Sequence, residues 1–506
     1  MRDGDLLWTP SAARVADTRM AAFLERTGHA DTTALQAWSL ADPDGFWRAA
    51  WDFCAVVGHP GERVLVPGDD LAAARFFPDA TLNVAENLLR RDTGEPAVIF
   101  RGEDPGVCRA LSWRELRRSV GRVQEGMRRS GVGPGDVVAA WMPNTPETYV
   151  VMLAAASLGA TFTSTSPDFG VDGVIDRFGQ VRPKMLFGCD SYYYGGKVHD
   201  RAGVLNEVVA SLPSVERSVV VGFTGSTTPI PGMFTLDELI DDIPPREPDF
   251  VRLPFDHPWY VLFSSGTTGK PKCIRHRAGG VLLKHLVEHQ LHCDVRPDDR
   301  VFYFTTAGWM MWNWLASALA SEATLVLYDG SPFHPDPHRL FDVVDEVGVT
   351  LFGTSATFIE SMRTERTRPR ATHDLTTLRT VCSTGSTLAP EGFSTIYESV
   401  KPDVHLASIS GGTDLCGCLV AGDPTLPVHA GEIQGPALGL AIEVVDGDGA
   451  PLPPGERGEL TCASPFPSMP LGFVDDPDGT RYHAAYFDRF PGRWHQGDYA
   501  EHTEHD

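Results

Sequence analysis

The chain has 506 residues, 42% of them hydrophobic and 22% charged, a globular composition with room for several subdomains. Its net charge of −24 argues against binding to nucleic acid or an anionic membrane, so we expect small-molecule partners. No apolar run approaches the roughly 20 residues of a membrane span. The first residues lack the pattern of a secretory signal. The nine cysteines have no repeating spacing, which favours reduced thiols in a cytoplasmic protein.

The patterns along the chain predict an α/β fold. Residues 1–90 are rich in Trp and Phe at helical spacing, which predicts an N-terminal helical extension. Strand and helix patterns then alternate, which predicts mostly parallel sheets covered by helices. A Pro-rich stretch near residue 245 predicts a linker between a first α/β subdomain, 91–245, and a second, 246–429. Short strands with Gly, Asp and Pro turns predict a β-rich subdomain over 430–506.

Individual elements also have clear signals. Strands are predicted over 96–100, 137–141, 184–187 and 218–221, and helices over 146–158 and 204–212. Ser112 and Glu115 form the S-x-x-E pattern of a capping box. Leu116, Val120 and Val123 then follow on one helical face, so a helix is predicted to begin at this point.

A phosphate site is predicted directly after the apolar run Trp259–Phe263, which has the pattern of a buried strand. The residues that follow are Ser264, Ser265, Gly266, Thr267, Thr268, Gly269, Lys270, Pro271 and Lys272. Glycines permit close approach of the backbone, the hydroxyls and amides donate hydrogen bonds, and the two lysines add positive charge. The alternative is a polar surface loop with two solvated lysines, but the strand, the Gly/hydroxyl run and the lysines together favour phosphate.

This loop differs from the P-loop of common NTPases. Only two residues separate Gly266 from Gly269, and Pro271 biases Lys270 away from the helical region, so the chain should leave the loop extended. The pattern resembles the phosphate loop of the adenylate-forming superfamily, which includes acyl-CoA synthetases, luciferases and peptide-synthetase adenylation domains. The resemblance implies the large N-terminal domain of that fold, with ATP and Mg²⁺ as cofactors and, in the acyl-CoA synthetases, CoA as a substrate.

A second motif, Ser408–Asp414, lies where the superfamily usually has Tyr-Gly-x-Thr-Glu. The resemblance implies that Thr413 contacts the α-phosphate and that Asp414 holds Mg²⁺, with Lys270 as a third catalytic residue. A hydroxyl can bond a phosphoryl oxygen, and a carboxylate suits Mg²⁺. The Asp in place of the usual Glu could require a bridging water.

The resemblance implies three further subsites. The turn of Gly385, Ser386 and Thr387 would lie against the adenine, although an ordinary strand-to-helix loop is an equally comfortable interpretation. Asp498, in a segment with Gln496 in place of the usual threonine, would accept hydrogen bonds from the ribose. The acyl pocket would be lined by Trp309, Met310, Gly411 and Gly412.

The segments 305–314, 410–414 and 282–293 resemble the acetoacetyl-CoA synthetases, and the N-terminal segment resembles short-chain acyl-CoA synthetases generally. Acetyl-CoA synthetases have a tryptophan at the position of Gly411, so glycine is expected to open room for a four-carbon acid. The function implied is AMP-forming ligation of acetoacetate to CoA through an acyl-adenylate. The alternatives are a ligase for propionate, butyrate or a branched acid, and a non-catalytic nucleotide-binding platform.

Two metal-like patterns are interpreted as structural. His285, His289 and His292 share one helical face, but no motif supplies further ligands, so a packed or solvated helix is preferred. Cys416 and Cys418 are interpreted as small core residues. The histidines at 502 and 505 are likewise not interpreted as metal ligands.

Family members continue into a hinge and a small C-terminal domain that carries a catalytic lysine. No residue up to Asp506 matches that lysine or that hinge. The residues present are therefore expected to form the adenylate-binding platform, and to be weakly active or inactive when isolated.

Overall fold

The fold is given by a computed structural model that describes residues 2–264 and 270–505. The α-helices are α1 (Ala12–Ala16), α2 (Arg19–Thr27), α3 (Thr32–Ala41), α4 (Pro43–Phe53), α5 (Val84–Leu88), α6 (Trp113–Arg129), α7 (Pro146–Leu158), α8 (Val171–Val181), α9 (Ala202–Ala210), α10 (Leu236–Ile240), α11 (Ala278–Val287), α12 (Met310–Ser317), α13 (Arg339–Val347), α14 (Ala356–Glu365), α15 (Pro390–Thr395) and α16 (Thr480–Tyr486). Two π-helical segments, Glu288–His292 and Ile396–Val400, continue α11 and α15.

The strands are β1 (Leu6–Trp8), β2 (Gly58–His59), β3 (Leu65–Val66), β4 (Arg75–Phe76), β5 (Thr81–Leu82), β6 (Pro96–Gly102), β7 (Cys108–Ser112), β8 (Val137–Trp141), β9 (Thr161–Thr165), β10 (Met185–Cys189), β11 (Ser191–Tyr194), β12 (Lys197–Asp200), β13 (Arg217–Val221), β14 (Phe234–Thr235), β15 (Leu253–Pro254), β16 (Pro258–Ser264), β17 (Lys272–Arg277), β18 (Arg300–Tyr303), β19 (Thr324–Asp329), β20 (Leu351–Ser355), β21 (Thr380–Thr384), β22 (His405–Ser408), β23 (Ser410–Gly412), β24 (Gly417–Ala421), β25 (Val428–His429), β26 (Gly435–Pro436), β27 (Ile442–Val445), β28 (Arg457–Cys462), β29 (Gly472–Phe473) and β30 (Trp494–Glu501).

Two large sheets dominate the fold. One has eight strands in the order β14-β13-β10-β8-β9-β16-β17-β29, and the other has seven in the order β22-β21-β20-β18-β19-β6-β7. Pairing is parallel throughout except at β16–β17, β17–β29 and β6–β7. The prediction of mostly parallel sheets is therefore confirmed, with antiparallel strands at one end of each sheet.

The two sheets do not divide the chain at residue 245. Strands β6 and β7 lie in the sheet with β18–β22, whereas β16, β17 and β29 join the sheet with β8, β9, β10, β13 and β14. Helix α7 contacts strands of both sheets, and 12 of its 13 residues are buried, as expected for a helix that is apolar all round. The predicted segments 91–245 and 246–429 thus each contribute strands to both large sheets. The sequence could not show this, because strand patterns do not specify which strands pair.

The local signals were reliable. Ser112 and Glu115 form both hydrogen bonds of the capping box at the start of α6. Helices α1–α5 occupy the N-terminal region, and β27, β28 and β30 form a separate antiparallel sheet in the β-rich C-terminal region. Among the described residues, no helix is both long enough and apolar enough to span a membrane.

Candidate active site

The predicted phosphate loop connects two antiparallel strands. Ser264 at the end of β16 pairs in register with Lys272 at the start of β17, so the chain does leave the loop in an extended conformation. The Ser264 hydroxyl is buried and has no partner among the described residues, while Lys270 is exposed. The remaining predicted phosphate ligands, residues 265–269, lie outside the described residues.

Lys272 connects this loop to the second motif. Its ammonium donates a hydrogen bond to Oδ1 of Asp414 at 2.6 Å, and the two side chains are 25% and 18% exposed. The hydroxyl of Tyr486, at the end of α16, donates to the same oxygen. Burial and Asp414 raise the pKa of the Tyr486 phenol well above its ordinary value, so it keeps the proton that it donates. The structure thus places a phosphate-loop lysine on the carboxylate predicted to hold Mg²⁺.

The carboxyl ends of β21 and β22 bring two other predicted segments side by side. Thr384 at the end of β21 donates its hydroxyl to the Ile409 carbonyl at 2.8 Å, just before Ser410–Asp414. The next residues, Gly385 to Thr387, are exposed at this edge. Gly385 has a φ of 90°, a conformation that glycine adopts without strain. Ligands of open parallel sheets bind at such carboxyl ends, so the location suits a nucleotide.

Gln496 connects two of the predicted site segments through its side-chain amide. Its amide nitrogen donates to Asp498 Oδ2 at 2.7 Å and to the Gly411 carbonyl at 3.2 Å, and its oxygen accepts from Trp494 Nε1 at 3.1 Å. These partners fix which end of the amide is nitrogen. Burial raises the pKa of Asp498, although the Gln496 amide opposes this rise. Asp498 is therefore joined to the Gly411 strand through one side chain.

The predicted acyl residues do not form one contact group. Met310 is half-buried and Trp309 is 67% exposed, and no hydrogen bond or ring contact among the described residues joins either of them to Gly411. The two regions are connected through His285 of α11, which bonds the Ser317 hydroxyl of α12 at 2.8 Å and the Cys416 carbonyl at 2.7 Å. The acyl-pocket assignment stays a prediction.

Gly411 also has a role in the packing of two strands. A Cβ on Gly411 would lie 2.0 Å from the Gly417 carbonyl oxygen and 2.6 Å from the Cys418 Cα, so any side chain would collide with β24. Its first structural role is to let β23 approach β24. The expectation that glycine at this position opens room for a four-carbon acid stays a prediction.

A buried ion pair of α11 and the π-helical segment after it contacts β24. Lys284 and Glu288 are 0% and 2% exposed, with Nζ and Oε1 2.8 Å apart. Oε1 also accepts from the Cys418 amide at 2.8 Å, and Oε2 accepts from Trp314 Nε1 at 2.8 Å. Burial by itself raises the pKa of Glu288, but Lys284 and the other donors lower it to about 2. The strand that pairs with Gly411 is therefore anchored to a charged group in the core.

The three helix histidines are packed, as preferred from the sequence. His285 and His292 bond separate backbone carbonyls, and His289 packs edge-on against Trp314 at a centroid distance of 4.0 Å. Burial lowers the pKa of His289 to about 3. Cys416 and Cys418 are buried too, consistent with core residues.

One other group of possible metal ligands occurs in the described part of the chain, His429, Glu432 and His505. The two rings are stacked 3.7 Å apart at 13°, and His505 Nδ1 bonds the Glu432 carboxylate at 3.0 Å. An ion binds in the plane of an imidazole ring, and two rings stacked nearly parallel do not direct their nitrogens to one common in-plane position. We assign no metal to this cluster.

Asp414 fits a magnesium ligand better. Both hydrogen-bond donors are on Oδ1, and no described residue donates to Oδ2, which lies 3.9 Å from the Cβ position of Gly412. Mg²⁺ is usually held by one or two carboxylates together with substrate phosphates. A carboxylate oxygen with no donor among the described residues, on a side chain that contacts Lys272, is consistent with that requirement.

Comparison with known proteins places this geometry in a family. The model of a family described as AMP-binding enzyme matches residues 85–470, and that described as acetyl-coenzyme A synthetase N-terminus matches residues 32–88. The chain belongs to the AMP-binding enzyme family, and it is an AMP-forming acid–thiol ligase by class.

Individual relatives narrow the class. The chain is 52% identical over 509 residues to acetoacetyl-coenzyme A synthetase of Rhizobium meliloti, covering 99% of this chain and 78% of the relative. It is 40% identical to acetoacetyl-CoA synthetase of Xenopus tropicalis, covering 99% of this chain and 76% of the relative. The solved acetoacetyl-CoA synthetase of Streptomyces lividans superposes with a TM-score of 0.93 at 41% identity, covering 99% and 79%. Within its family, the chain belongs with the acetoacetyl-CoA synthetases.

Two residues of the site were missed or underrated in the sequence. Tyr486 lies 72 positions from Asp414 and belongs to no motif. Gln496 was noted only as a departure from threonine, although its side chain connects Gly411 with Asp498. The Tyr486–Asp414 and Gln496–Gly411 contacts have no local sequence signal, because each joins elements that are distant along the chain.

Proposed function

We propose that the protein joins acetoacetate to CoA at the expense of ATP, giving acetoacetyl-CoA, AMP and pyrophosphate. The observation that carries the proposal is the Lys272–Asp414 contact, which unites the phosphate loop with the motif of the magnesium ligand. The choice of acetoacetate is supported by the names of the relatives that match nearly the whole chain.

The proposed first step forms the acyl-adenylate. An acetoacetate carboxylate oxygen attacks the α-phosphorus of ATP, and the bond to pyrophosphate breaks. The segment from Ser264 to Lys272 would bind the β- and γ-phosphates, and Thr413 would orient the α-phosphate. Asp414 would hold Mg²⁺, which when bound offsets the negative charge of the phosphates. Positioning and charge neutralisation suffice for this chemistry, so no covalent protein intermediate is required.

The proposed second step transfers the acyl group. The CoA sulfur attacks the acyl carbon, AMP leaves, and the thiol proton passes to solvent. During both steps Gly385–Thr387 would contact the adenine, and Asp498 would accept hydrogen bonds from the ribose hydroxyls. The Gln496 amide already occupies one oxygen of Asp498, so the other oxygen is the one available to the ribose.

The nine cysteines are free, and eight of them are buried. Unpaired thiols persist in reducing compartments, so we include a cytoplasmic location in the proposal.

The test measures AMP release by the full-length gene product with ATP, Mg²⁺ and CoA across acetate, propionate, butyrate and acetoacetate. We expect the highest kcat/KM with acetoacetate. Equal or better use of butyrate would reduce the assignment to a short-chain acyl-CoA ligase, because the ketone would then contribute nothing. Nucleotide binding without AMP release from any acid would instead favour the non-catalytic platform.

A further inference from the structure

The carboxylate of Asp414 is held unequally. Lys272 Nζ and the Tyr486 hydroxyl both donate to Oδ1, whereas no described residue donates to Oδ2. The two donors differ in charge: one is an ammonium and the other a neutral phenol. Their responses to an arriving cation must therefore differ.

Tyr486 is fixed in place by its surroundings. It is the last residue of α16 and only 1% exposed. Its ring stacks on Trp494 with centroids 4.0 Å apart at 13°, and it meets Phe473 and Tyr482 edge-on at 5.8 and 5.4 Å. Stacked and edge-on aromatic pairs are favourable beyond the area that they bury. The hydroxyl thus presents a rigid donor to Asp414.

Lys272 is the donor that can leave. It is one quarter exposed and starts the strand directly after the phosphate loop. Bound nucleotide would attract its ammonium to the phosphates, and a divalent cation at Asp414 would repel it. The neutral phenol experiences no such repulsion, so its hydrogen bond is compatible with a cation on the other oxygen.

We propose that Tyr486 is a positioning residue that keeps Oδ1 of Asp414 occupied and turns Oδ2 toward the Mg²⁺–nucleotide complex after Lys272 has moved to the phosphates. The inference rests on the proposed function for the identity of the ligand. Outer partners of metal ligands typically change metal affinity by about 10–100-fold, which sets the size of the expected effect.

The test compares Tyr486→Phe with the matched control Tyr482→Phe. Tyr482 lies one turn earlier on the same helix, in the same aromatic cluster, and its buried hydroxyl has no partner among the described residues. Each variant is titrated with Mn²⁺ in the presence of a non-hydrolysable ATP analogue, and bound Mn²⁺ is measured by electron paramagnetic resonance. We expect affinity to fall about 10–100-fold for Tyr486→Phe and to remain within about threefold of wild type for Tyr482→Phe.

Kinetics supply a second readout. In Tyr486→Phe the Mg²⁺ concentration for half-maximal AMP release should rise, while kcat at saturating Mg²⁺ should return close to that of wild type. In an Asp414→Asn background, Tyr486→Phe should have little additional effect, because the residue acts only through that carboxylate.

Unchanged Mn²⁺ affinity in Tyr486→Phe would overturn the inference. Equal losses in both variants would also overturn it, since they would indicate aromatic packing and not the hydroxyl. If wild type binds Mn²⁺ and nucleotide but activates no acid, the proposed function fails while the Mn²⁺ comparison still decides the role of Tyr486.

Discussion

Replacing Lys284 with methionine tests how the site is supported. Methionine has a similar length and no charge, so Lys284→Met removes one partner of a fully buried ion pair with little change of volume. Glu288 would keep its hydrogen bonds from the Cys418 amide and Trp314, but its charge would lose the neighbouring ammonium. A charge left unpaired in a protein core is costly because water cannot solvate it.

The expected magnitude follows from this geometry. Breaking a buried pair by removing one partner costs about 3–5 kcal/mol. With an unfolding entropy of about 2.1 cal/mol/K per residue, the 506 residues together give roughly 1.1 kcal/mol/K. The melting temperature should therefore fall by about 3–5 °C if the chain unfolds as one unit. AMP release should fall as well, since Glu288 anchors the strand that pairs with Gly411.

The pKa of Glu288 determines how the stability lost in Lys284→Met should change with pH. In wild type the pKa of Glu288 is about 2, below its ordinary value of 4.5, so its contribution to stability is present above pH 4.5 and is lost as the pH falls toward 2. Without Lys284, burial raises the pKa above the ordinary value, and protonation then relieves the buried charge. The deficit of Lys284→Met should accordingly shrink as the pH is lowered through the raised pKa.

Differential scanning calorimetry at several pH values measures both effects, with the exposed Lys197→Met as control. The double variant Lys284→Met/Glu288→Gln removes the unpaired charge and should be more stable than Lys284→Met alone. An unchanged melting temperature in the single variant, or a double variant no better than the single, would refute the reasoning.

Further predictions concern single positions. Gly411→Ala places a Cβ 2.0 Å from the Gly417 oxygen and should lower both the melting temperature and AMP release, while Gly412→Ala, whose Cβ would meet Gln496 at 3.3 Å and Asp414 at 3.9 Å, should be milder in both assays. Burial raises the pKa of Asp329 to about 7, so its ionisation destabilises the fold, and Asp329→Asn should gain melting temperature over wild type as pH rises from about 4 to 7. Gln496→Glu replaces the amide nitrogen that donates to Asp498 and to the Gly411 carbonyl with a carboxylate oxygen, which can only accept. Calorimetry should therefore show weaker ATP binding in Gln496→Glu than in Gln496→Met.

Much of the fold follows from local patterns. The strand before the phosphate loop, the extended exit after Pro271 and the capping box at Ser112 each depend on residues close together in the chain, and all are observed. No such local pattern indicates that β6 and β7 join one large sheet and β16 and β17 the other. Pairing depends on which apolar faces meet in space, and strand patterns are alike on either side of residue 245.

The site residues also differ in whether a local pattern predicts them. Ser264, Thr413 and Asp414 belong to contiguous motifs, so the sequence could nominate them, although their ligand contacts stay predictions. Lys284 could not be identified as a core residue, because lysines on helices are almost always solvated and its buried partner is visible only once the helix is packed. Tyr486 has no local signal, because only the folded chain brings its hydroxyl to Asp414.

Two departures from the usual family pattern, Gln496 and Asp414, lie close to the glycine at 411 in the site. Gln496 stands where threonine is usual, and its longer side chain reaches both the Gly411 carbonyl and Asp498. Gly411 stands where acetyl-CoA synthetases have tryptophan, and its backbone lies too close to β24 for any side chain. Asp414 is one methylene shorter than glutamate and is held by Lys272 and Tyr486. Gln496 bonds the Gly411 carbonyl and Asp414 lies three residues after Gly411, so a change at one of these positions alters contacts close to the others. Their effects should therefore be non-additive, and the site is best understood as a set of mutually adjusted substitutions.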